Sequence, residues 1–180
     1  MNKDDIPREE LYTVGEIRTI SGKYVNVLNP NPDDIVIEDI AHSLAFMPRY
    51  GGHTHRFYSV AEHCIRCFYL ADPEFKFETL MHDATEAYLL DMMKPIKEVL
   101  RDYQALEDNL QKVICEKFGL PYPMSKEVKE IDKAMLEMEW KHVVLRRGGF
   151  NRDYSSIQAK EEFLRLFIES CPEACLSQLK

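Results

Sequence analysis

Four side chains of metal-binding types stand out in this sequence, because each lies in a segment that is otherwise rich in apolar residues. They are His63, the adjacent pair His82 and Asp83, and Asp132. Two imidazoles and two carboxylates, without a thiolate, suit Mn²⁺, Fe²⁺, Co²⁺, Ni²⁺ or Zn²⁺. On a six-coordinate ion they would leave two positions for a water molecule and a phosphate oxygen. Such an ion activates the water and neutralises charge on a phosphoryl group, so the four residues predict a centre for phosphoester hydrolysis.

Glu86 is the candidate for proton transfer at this centre. It follows His82 by four residues and Asp83 by three, so in a helix it shares a face with both. That spacing predicts a general acid or base beside the ion, acting on the attacking water or on the leaving oxygen. Taken singly, each of these residues has an ordinary explanation as a core or solvated side chain. Only their combined order and spacing predict a metal centre.

Helices must position these residues. Ser59, with Glu62 three residues later, has the capping-box spacing and predicts a helix over Val60–Leu70. Adjacent helix positions diverge by about 100°, so His82 and Asp83 reach one ion only if it lies between their faces inside a bundle. Apolar periodicity predicts a helical segment from Ile37 that Pro48 ends, further helices over Phe77–Leu90, Tyr103–Phe118, Ser125–Leu145 and Ser156–Ser170, and a short helix in the tail.

The beginning of the chain has a different pattern. Ile17–Leu28 holds β-branched and aromatic residues around a Ser21-Gly22 turn, which predicts a short β-hairpin. The predicted fold is therefore all-α, a helical bundle with a small N-terminal hairpin. We expect one domain over residues 1–180: a hairpin extension over 1–36, a metal-binding helical core over 37–145 and C-terminal helices over 146–180.

Composition excludes some classes of function. The net charge of −8, without a long Lys/Arg run, disfavours nucleic-acid binding. No apolar run approaches the ~18 residues of a membrane span, and the first ten residues lack the apolar stretch of a secretory signal. Five cysteines, an odd number, are typical of free thiols in the cytoplasm. Cys64 and Cys67 have the spacing of a redox pair, but no strand–helix context surrounds them.

The order H…HD…D resembles the signature of the HD-domain superfamily of metal-dependent phosphohydrolases. The spacing fits that signature, with nineteen positions from His63 to His82 and forty-nine from Asp83 to Asp132. The flanking motifs are similar to the bacterial 5′-deoxynucleotidase branch and its phage-encoded relatives, which include deoxynucleoside triphosphohydrolases. Those motifs are Arg49-Tyr50, Ser59-Val60-Ala61-Glu62-His63, His82-Asp83-Ala84-Thr85-Glu86, Asp91 and Lys94-Pro95-Ile96-Lys97.

The resemblance implies a role for each matching residue. His63, His82, Asp83 and Asp132 correspond to the ligands of one divalent transition metal per chain (Mn, Co, Fe, Ni or Zn), and further Mg²⁺ can accompany substrate phosphates. The remaining implied roles are catalysis by Glu86, a place for Asp91 near the sugar and the leaving oxygen, and phosphate contacts from Arg49 and Lys94. The branch also implies a homodimer or a larger homo-oligomer.

The sequence departs from the branch at three places. Tyr50 stands where the deoxynucleotidases carry tryptophan, which leaves selectivity for deoxyribose open. Residues 90–95 read Leu-Asp-Met-Met-Lys-Pro instead of the more usual Gly-Asp-x-Pro-x-Pro, so the loop is expected to differ in shape. The Gly-Gly-His-x-His loop is an addition, and its His53 and His55 either contact the substrate at the pocket mouth or belong to a polar surface loop.

Several functions remain open at this stage. The leading prediction is hydrolysis of a nucleoside 5′-monophosphate, and the alternative is a dATP-preferring triphosphohydrolase that releases triphosphate. Cyclic-nucleotide or (p)ppGpp hydrolysis uses a similar metal site, but the flanking motifs match it less well. A non-catalytic acidic helical interaction module is the last alternative. A group of apolar residues is expected either in a subunit interface or in the core: Phe68, Tyr69, Phe163, Leu166 and Phe167.

Overall fold

The computed structural model describes residues 13–173, and α-helices make up most of that range. None of the helices there has the length and apolar content needed to cross a bilayer. The mostly helical fold with a small hairpin is as predicted, while the predicted tail helix lies outside the described residues. In chain order the helices are α1 (Ile37–Phe46), α2 (Val60–Leu70), α3 (Lys76–Met81), α4 (Glu86–Leu89), α5 (Lys94–Lys97), α6 (Arg101–Phe118), α7 (Lys126–Glu139) and α8 (Ser156–Ser170).

The predicted hairpin is present and is tied to α1. Strands β1 (Glu16–Arg18) and β2 (Tyr24–Asn26) pair antiparallel. At their turn, Ser21 donates its backbone N–H (2.9 Å) and its hydroxyl (2.7 Å) to the carboxylate of Asp39, in the first turn of α1. Val25 of β2 is fully buried in the helical core. The hairpin therefore packs as part of the molecule's core.

Helix α2 begins at the residue that its capping signal predicts. The Ser59 hydroxyl accepts a hydrogen bond from the backbone N–H of Glu62 at 3.1 Å, which satisfies one of the free donors at the helix start. The Glu62 carboxylate does not complete a reciprocal bond, because it pairs with Arg56 and Arg66. The cap fixes the start of the helix that carries His63.

The core lies between α1, α2, α3 and α8, which pack against one another. Phe68, Phe163, Leu166 and Phe167 are buried there, whereas Tyr69 is exposed and donates a hydrogen bond to Glu162. Helix α7 also packs against α2 and α3. The three segments that carry the predicted metal ligands are therefore neighbours.

The predicted helix Phe77–Leu90 is interrupted where it carries the metal-binding pair. Between α3 and α4, the backbone N–H of Ala84 donates to the carbonyl of Met81 and that of Glu86 to the carbonyl of Asp83, both at 3.0 Å. These bonds span three residues, as in a 3₁₀-helix, and such winding inside a helical stretch often marks a functional site. The single predicted helix is thus corrected to two short helices joined by a tight turn.

The predicted helix Ser125–Leu145 is also corrected. Helix α7 ends at Glu139, and a π-helical turn, Trp140–Val144, follows it. The backbone N–H of Leu145 donates to the carbonyl of Trp140 at 2.9 Å, five residues back. Single π-helical turns of this kind occur frequently at functional sites. The turn Trp140–Val144 directly follows Glu139, which is fully buried.

Leu90 follows α4 in a strained backbone conformation. Its φ of 71° and ψ of 157° lie in a region that glycine occupies freely, and its side chain is 64% exposed. We expect Leu90→Gly to raise the free energy of unfolding by about 1 kcal/mol, because removing roughly 1–3 kcal/mol of strain outweighs the ~0.5–1 kcal/mol entropic cost of glycine. Urea denaturation measures the change.

The matched control is Leu145→Gly. Leu145 is 43% exposed, but its φ is −82°, which any L-residue adopts. Glycine there should lower stability through its backbone entropy. Equal losses of stability in the two variants would contradict strain at Leu90.

Candidate metal centre

The structure brings the four sequence-predicted ligands together. His63 lies on α2, His82 and Asp83 lie in the tight turn after α3, and Asp132 lies on α7. His63 Nε2 is 3.1 Å from His82 Nε2, 3.5 Å from Asp83 Oδ2 and 3.2 Å from Asp132 Oδ1. His82 Nε2 is 3.3 Å from Asp83 Oδ2 and 3.7 Å from Asp132 Oδ1. Three chain segments thus direct two nitrogens and two oxygens toward one place.

These distances fit a divalent ion. Metal–ligand bonds of about 2.0–2.2 Å place neighbouring ligand atoms roughly 3.0–3.5 Å apart. His82 Nδ1 donates to the backbone carbonyl of Thr79 at 2.7 Å, and His63 Nδ1 donates to Glu139 Oε1 at 2.6 Å. With Nδ1 protonated, each neutral imidazole turns its Nε2 lone pair toward the other and toward the carboxylates. Electron-rich atoms so close together need protons or a metal ion between them.

Protons compete with the ion for this place. Burial lowers the pKa of His82, but the charge of Asp83 and a hydrogen bond to Asp132 outweigh burial and hold it well above its ordinary value. Burial raises the pKa of Asp132, yet hydrogen bonds from His63 and His82 keep it far below its ordinary value. Because imidazoles bind metals in the neutral form, ion binding releases these protons and strengthens as the pH rises.

Two cysteines of α2 lie beside the centre. Cys67 Sγ is 3.8 Å from Nδ1 and 3.6 Å from Nε2 of His63, so it sits over the face of the ring and away from the Nε2 lone pair. Cys64 Sγ lies within 4.8 Å of ligand atoms of His82 and Asp83, and burial raises the pKa of its thiol. Both are free thiols. Groups that include a thiol, His63–Cys67–His82 and Cys64–His82–Asp83, therefore lie at the same place as the predicted nitrogen and oxygen ligands.

Arg49 is a buried cation beside the predicted ligands. It lies in a short 3₁₀ turn, Arg49–Gly52, and is 8% exposed. Its Nη1 is 3.3 Å from Asp83 Oδ2, and its Nε is 3.3 Å from Glu139 Oε2. Burial lowers the pKa of Arg49, but these carboxylates outweigh burial and hold it well above the ordinary value. A fixed positive charge therefore stands next to the centre.

Asp91 holds the turn that carries Arg49. Tyr50 has the left-handed backbone (φ 56°, ψ 29°), and its N–H donates to Asp91 Oδ2 at 3.2 Å. Burial raises the pKa of Asp91; the charge of Arg49 opposes this only in part. Asp91 therefore stabilises the turn at Tyr50, although it lies 41 residues later in the chain.

Glu86 is a buried carboxyl group with unused hydrogen-bonding capacity. It is 8% exposed, and its Oε2 atom is buried without a hydrogen-bond partner in the described part of the chain. Burial and the charges of Asp83 and Asp91 raise its pKa well above the ordinary value. A buried carboxyl group with a raised pKa that lines a cavity is suited to proton transfer.

A cavity of about 960 Å³ adjoins these groups. Its polar wall includes Arg49, Asp83, Glu86, Asp91 and Asp132. Its apolar wall is formed by Tyr50, Met92, Met93, Pro95, Leu136 and Trp140. A cavity of this size, with polar groups at an apolar wall, fits a small organic ligand that carries a charged group.

The predicted substrate contacts are only partly brought to this cavity. Tyr50, Lys94 and Lys97 line it together with Arg49. His53 is exposed and is not among the lining residues, and His55 uses Nδ1 to bond the carbonyl of Val143 at 2.6 Å. Of these two histidines, His55 is therefore bound to the segment after α7, and His53 is exposed outside the cavity lining.

Sequence reasoning missed Glu139 and Trp140. Glu139 is fully buried and accepts hydrogen bonds from Tyr58, Tyr50 and His63. Burial raises its pKa, but the positive charges of His63 and Arg49 outweigh burial and lower it to about 2. Glu139 follows Asp132 by seven residues, which is two helical turns, so the spacing is the signal that could have found it.

Comparison with known proteins identifies relatives. No protein-family model matches the chain. The chain is 47% identical over 147 residues to the uncharacterized protein YfdR of Escherichia coli K12, an overlap of 82% of this chain and 83% of the relative. It is 39% identical over 127 residues, 65% of each chain, to the uncharacterized protein RCAP_rcc00048 of Rhodobacter capsulatus. At this identity and coverage, the chain belongs to the family of Escherichia coli YfdR.

Proposed function

We propose that this protein is a metal-dependent phosphohydrolase of the HD-domain type that cleaves the 5′ phosphoester of a nucleoside monophosphate. The observation that carries the proposal is the convergence of two imidazole nitrogens and two carboxylate oxygens, with five atom pairs 3.1–3.7 Å apart, beside the buried Arg49 and Glu86. Free, buried thiols agree with a cytoplasmic site of action. We further propose one Mn, Co, Fe, Ni or Zn ion per chain and a homodimer or larger homo-oligomer.

The residues of the cavity supply the remaining chemistry. When bound, a divalent ion supplies Lewis acidity and activates water. Arg49 places its guanidinium against the phosphate, where charge-assisted hydrogen bonds are strong. Glu86, a buried carboxyl group whose pKa is raised by burial, donates a proton to the 5′ oxygen of the departing nucleoside. The apolar wall near Trp140 and Tyr50 accepts the nucleoside and excludes water from it.

The charges of the cavity favour a monophosphate over a triphosphate. Arg49, Lys94 and Lys97 are its cationic lining residues, and Lys97 already pairs with Glu107. A triphosphate has more negative charge to neutralise, and neither His53 nor His55 lines the cavity to help. Even without Glu86, the proposed proton donor, acidic residues outnumber these cations along the walls: Asp83, Asp91, Glu98, Asp132 and Glu137.

A substrate screen tests the proposal. Protein stripped with EDTA is supplied with Mn²⁺, Co²⁺, Mg²⁺ or Zn²⁺ and offered nucleoside 5′-mono- and triphosphates, a cyclic nucleotide and (p)ppGpp. We expect orthophosphate from monophosphates, abolished by EDTA and restored by a transition metal. Free triphosphate from dATP would select the triphosphohydrolase alternative. No turnover of any of these compounds would contradict the proposal and favour a non-catalytic interaction module.

Arg49→Ala should chiefly weaken substrate binding. A charge-assisted hydrogen bond contributes roughly 1.5–3 kcal/mol, so we expect KM to rise about 10–100-fold with a smaller change in kcat. Steady-state kinetics measures both parameters, and the control is Arg101→Ala, an exposed arginine that does not line the cavity. If KM and kcat are unchanged in Arg49→Ala, the phosphate contact is refuted.

A further inference from the structure

Glu139 is a buried charged residue, and the packing of helices does not by itself require a charge at this position. It is the last residue of α7 and its exposed fraction is zero. An isolated carboxylate at such a depth is strongly unfavourable unless hydrogen-bonded cations and donors surround it. All of those partners come from one distant segment of the chain, residues 49–63. So many partners around one buried charge suggest a role beyond filling space.

The two oxygens of this carboxylate contact different parts of the site. Oε1 accepts hydrogen bonds from His63 Nδ1 at 2.6 Å and from the Tyr58 hydroxyl at 2.7 Å. Oε2 accepts from the Tyr50 hydroxyl at 2.8 Å and lies 3.3 Å from Arg49 Nε. One side of the group therefore faces a predicted metal ligand, and the other faces the pocket wall and the predicted phosphate contact.

We propose that Glu139 is the positioning residue of the centre, which orients His63 toward the metal through one oxygen and holds Arg49 and Tyr50 at the substrate cavity through the other. By accepting from Nδ1, it leaves Nε2 of His63 unprotonated and directed at the ligand cluster, and it makes the imidazole a stronger base. By pairing with Arg49, it fixes the guanidinium beside Asp83. This inference rests on the metal site of the proposed function and is independent of the identity of the substrate.

The experiment compares Glu139→Gln and Glu139→Ala with a matched control at Glu78. Glu78 is 9% exposed, and its carboxylate accepts from the backbone N–H (2.6 Å) and the hydroxyl (2.7 Å) of Ser125, at the opposite end of α7. It is thus another buried glutamate bound to the same helix, with no contact to the centre among its hydrogen bonds. Circular dichroism checks the fold of each variant.

Two readouts separate positioning from general support of the fold. Titration with Mn²⁺ gives the metal affinity of each folded variant, and an NMR spectrum of the Zn²⁺-loaded protein reports whether the His63 Nδ1 proton is protected from solvent exchange. Loss of the partner of a metal-binding histidine typically weakens metal affinity about 10–100-fold. We expect a loss in that range and loss of the protected proton in Glu139→Ala, a smaller loss in Glu139→Gln, and wild-type values in Glu78→Gln.

The outcomes decide the inference separately from the proposed activity. If Glu139→Gln folds, binds Mn²⁺ as tightly as the wild type and keeps the protected proton, the positioning role is wrong. It is equally wrong if Glu78→Gln loses as much affinity, because the effect would then be general. If the wild type binds the ion but hydrolyses no nucleotide, the proposed activity fails, while the ratio of affinities still decides the role of Glu139.

Discussion

Asp83→Ala is expected to lose bound metal and turnover together. The Oδ2 atom of Asp83 lies 3.3 Å from His82 Nε2 and 3.5 Å from His63 Nε2, and it also pairs with Arg49. Without this carboxylate, the Arg49 cation remains beside the imidazoles and repels an incoming ion. Because metal assistance is worth several kcal/mol in such reactions, we expect turnover to fall about 10³-fold or more.

Elemental analysis of the purified variant and a turnover assay check this prediction. The control is Asp102→Ala, an exposed aspartate in the first turn of α6 that does not line the cavity. It should retain the metal content and the activity of the wild type. A folded Asp83→Ala protein that keeps its full metal content would show that this residue is not a ligand.

Glu86→Gln is expected to separate chemistry from metal binding. Its carboxyl group has a buried oxygen without a partner in the described chain and is absent from the set of converging ligand atoms. Glutamine keeps the shape but cannot exchange the proton, and general acid–base catalysis typically contributes about 10²–10⁴-fold. We therefore expect turnover to fall by that factor while the bound metal remains.

The Glu86→Gln substitution also has an expected effect on the stability of the fold. A carboxyl group whose pKa is raised by burial destabilises the fold when it is ionised, so glutamine should leave the free energy of unfolding unchanged or higher at neutral pH. Metal analysis, kinetics and urea denaturation are made on the same preparation. Equal loss of metal in Glu86→Gln and Asp83→Ala would refute separate roles for the two residues.

Local signals in the sequence predict much of the fold. Ser59 and the apolar residues after it predict α2 to the residue, since a cap and a helical period act within a few positions. The Ser21-Gly22 turn likewise predicts the hairpin. A characteristic order in the sequence predicts the convergence of four residues: His63, His82, Asp83 and Asp132. The order does not predict which faces of the helices meet, because the core that the helices share decides this.

Features that depend on distant contacts escape sequence reasoning. A glutamate near a helix end is usually solvated. Glu139 is buried instead, and Tyr50 and Tyr58, more than eighty residues earlier, donate hydrogen bonds to it from their hydroxyls. The break after α3 and the strained backbone of Leu90 lie in the segment that brings Glu86 and Asp91 to the cavity. A leucine gives no local sign of a positive φ.

The central claim is that three chain segments hold one divalent ion between two imidazoles and two carboxylates. The most direct measurement is a crystal structure of the Mn²⁺-loaded protein with anomalous diffraction data at the manganese absorption edge. The account predicts one strong peak per chain, within bonding distance of His63 Nε2, His82 Nε2, Asp83 and Asp132. A peak at any other group of side chains, or a saturated crystal in which these four residues bind no ion, would contradict it.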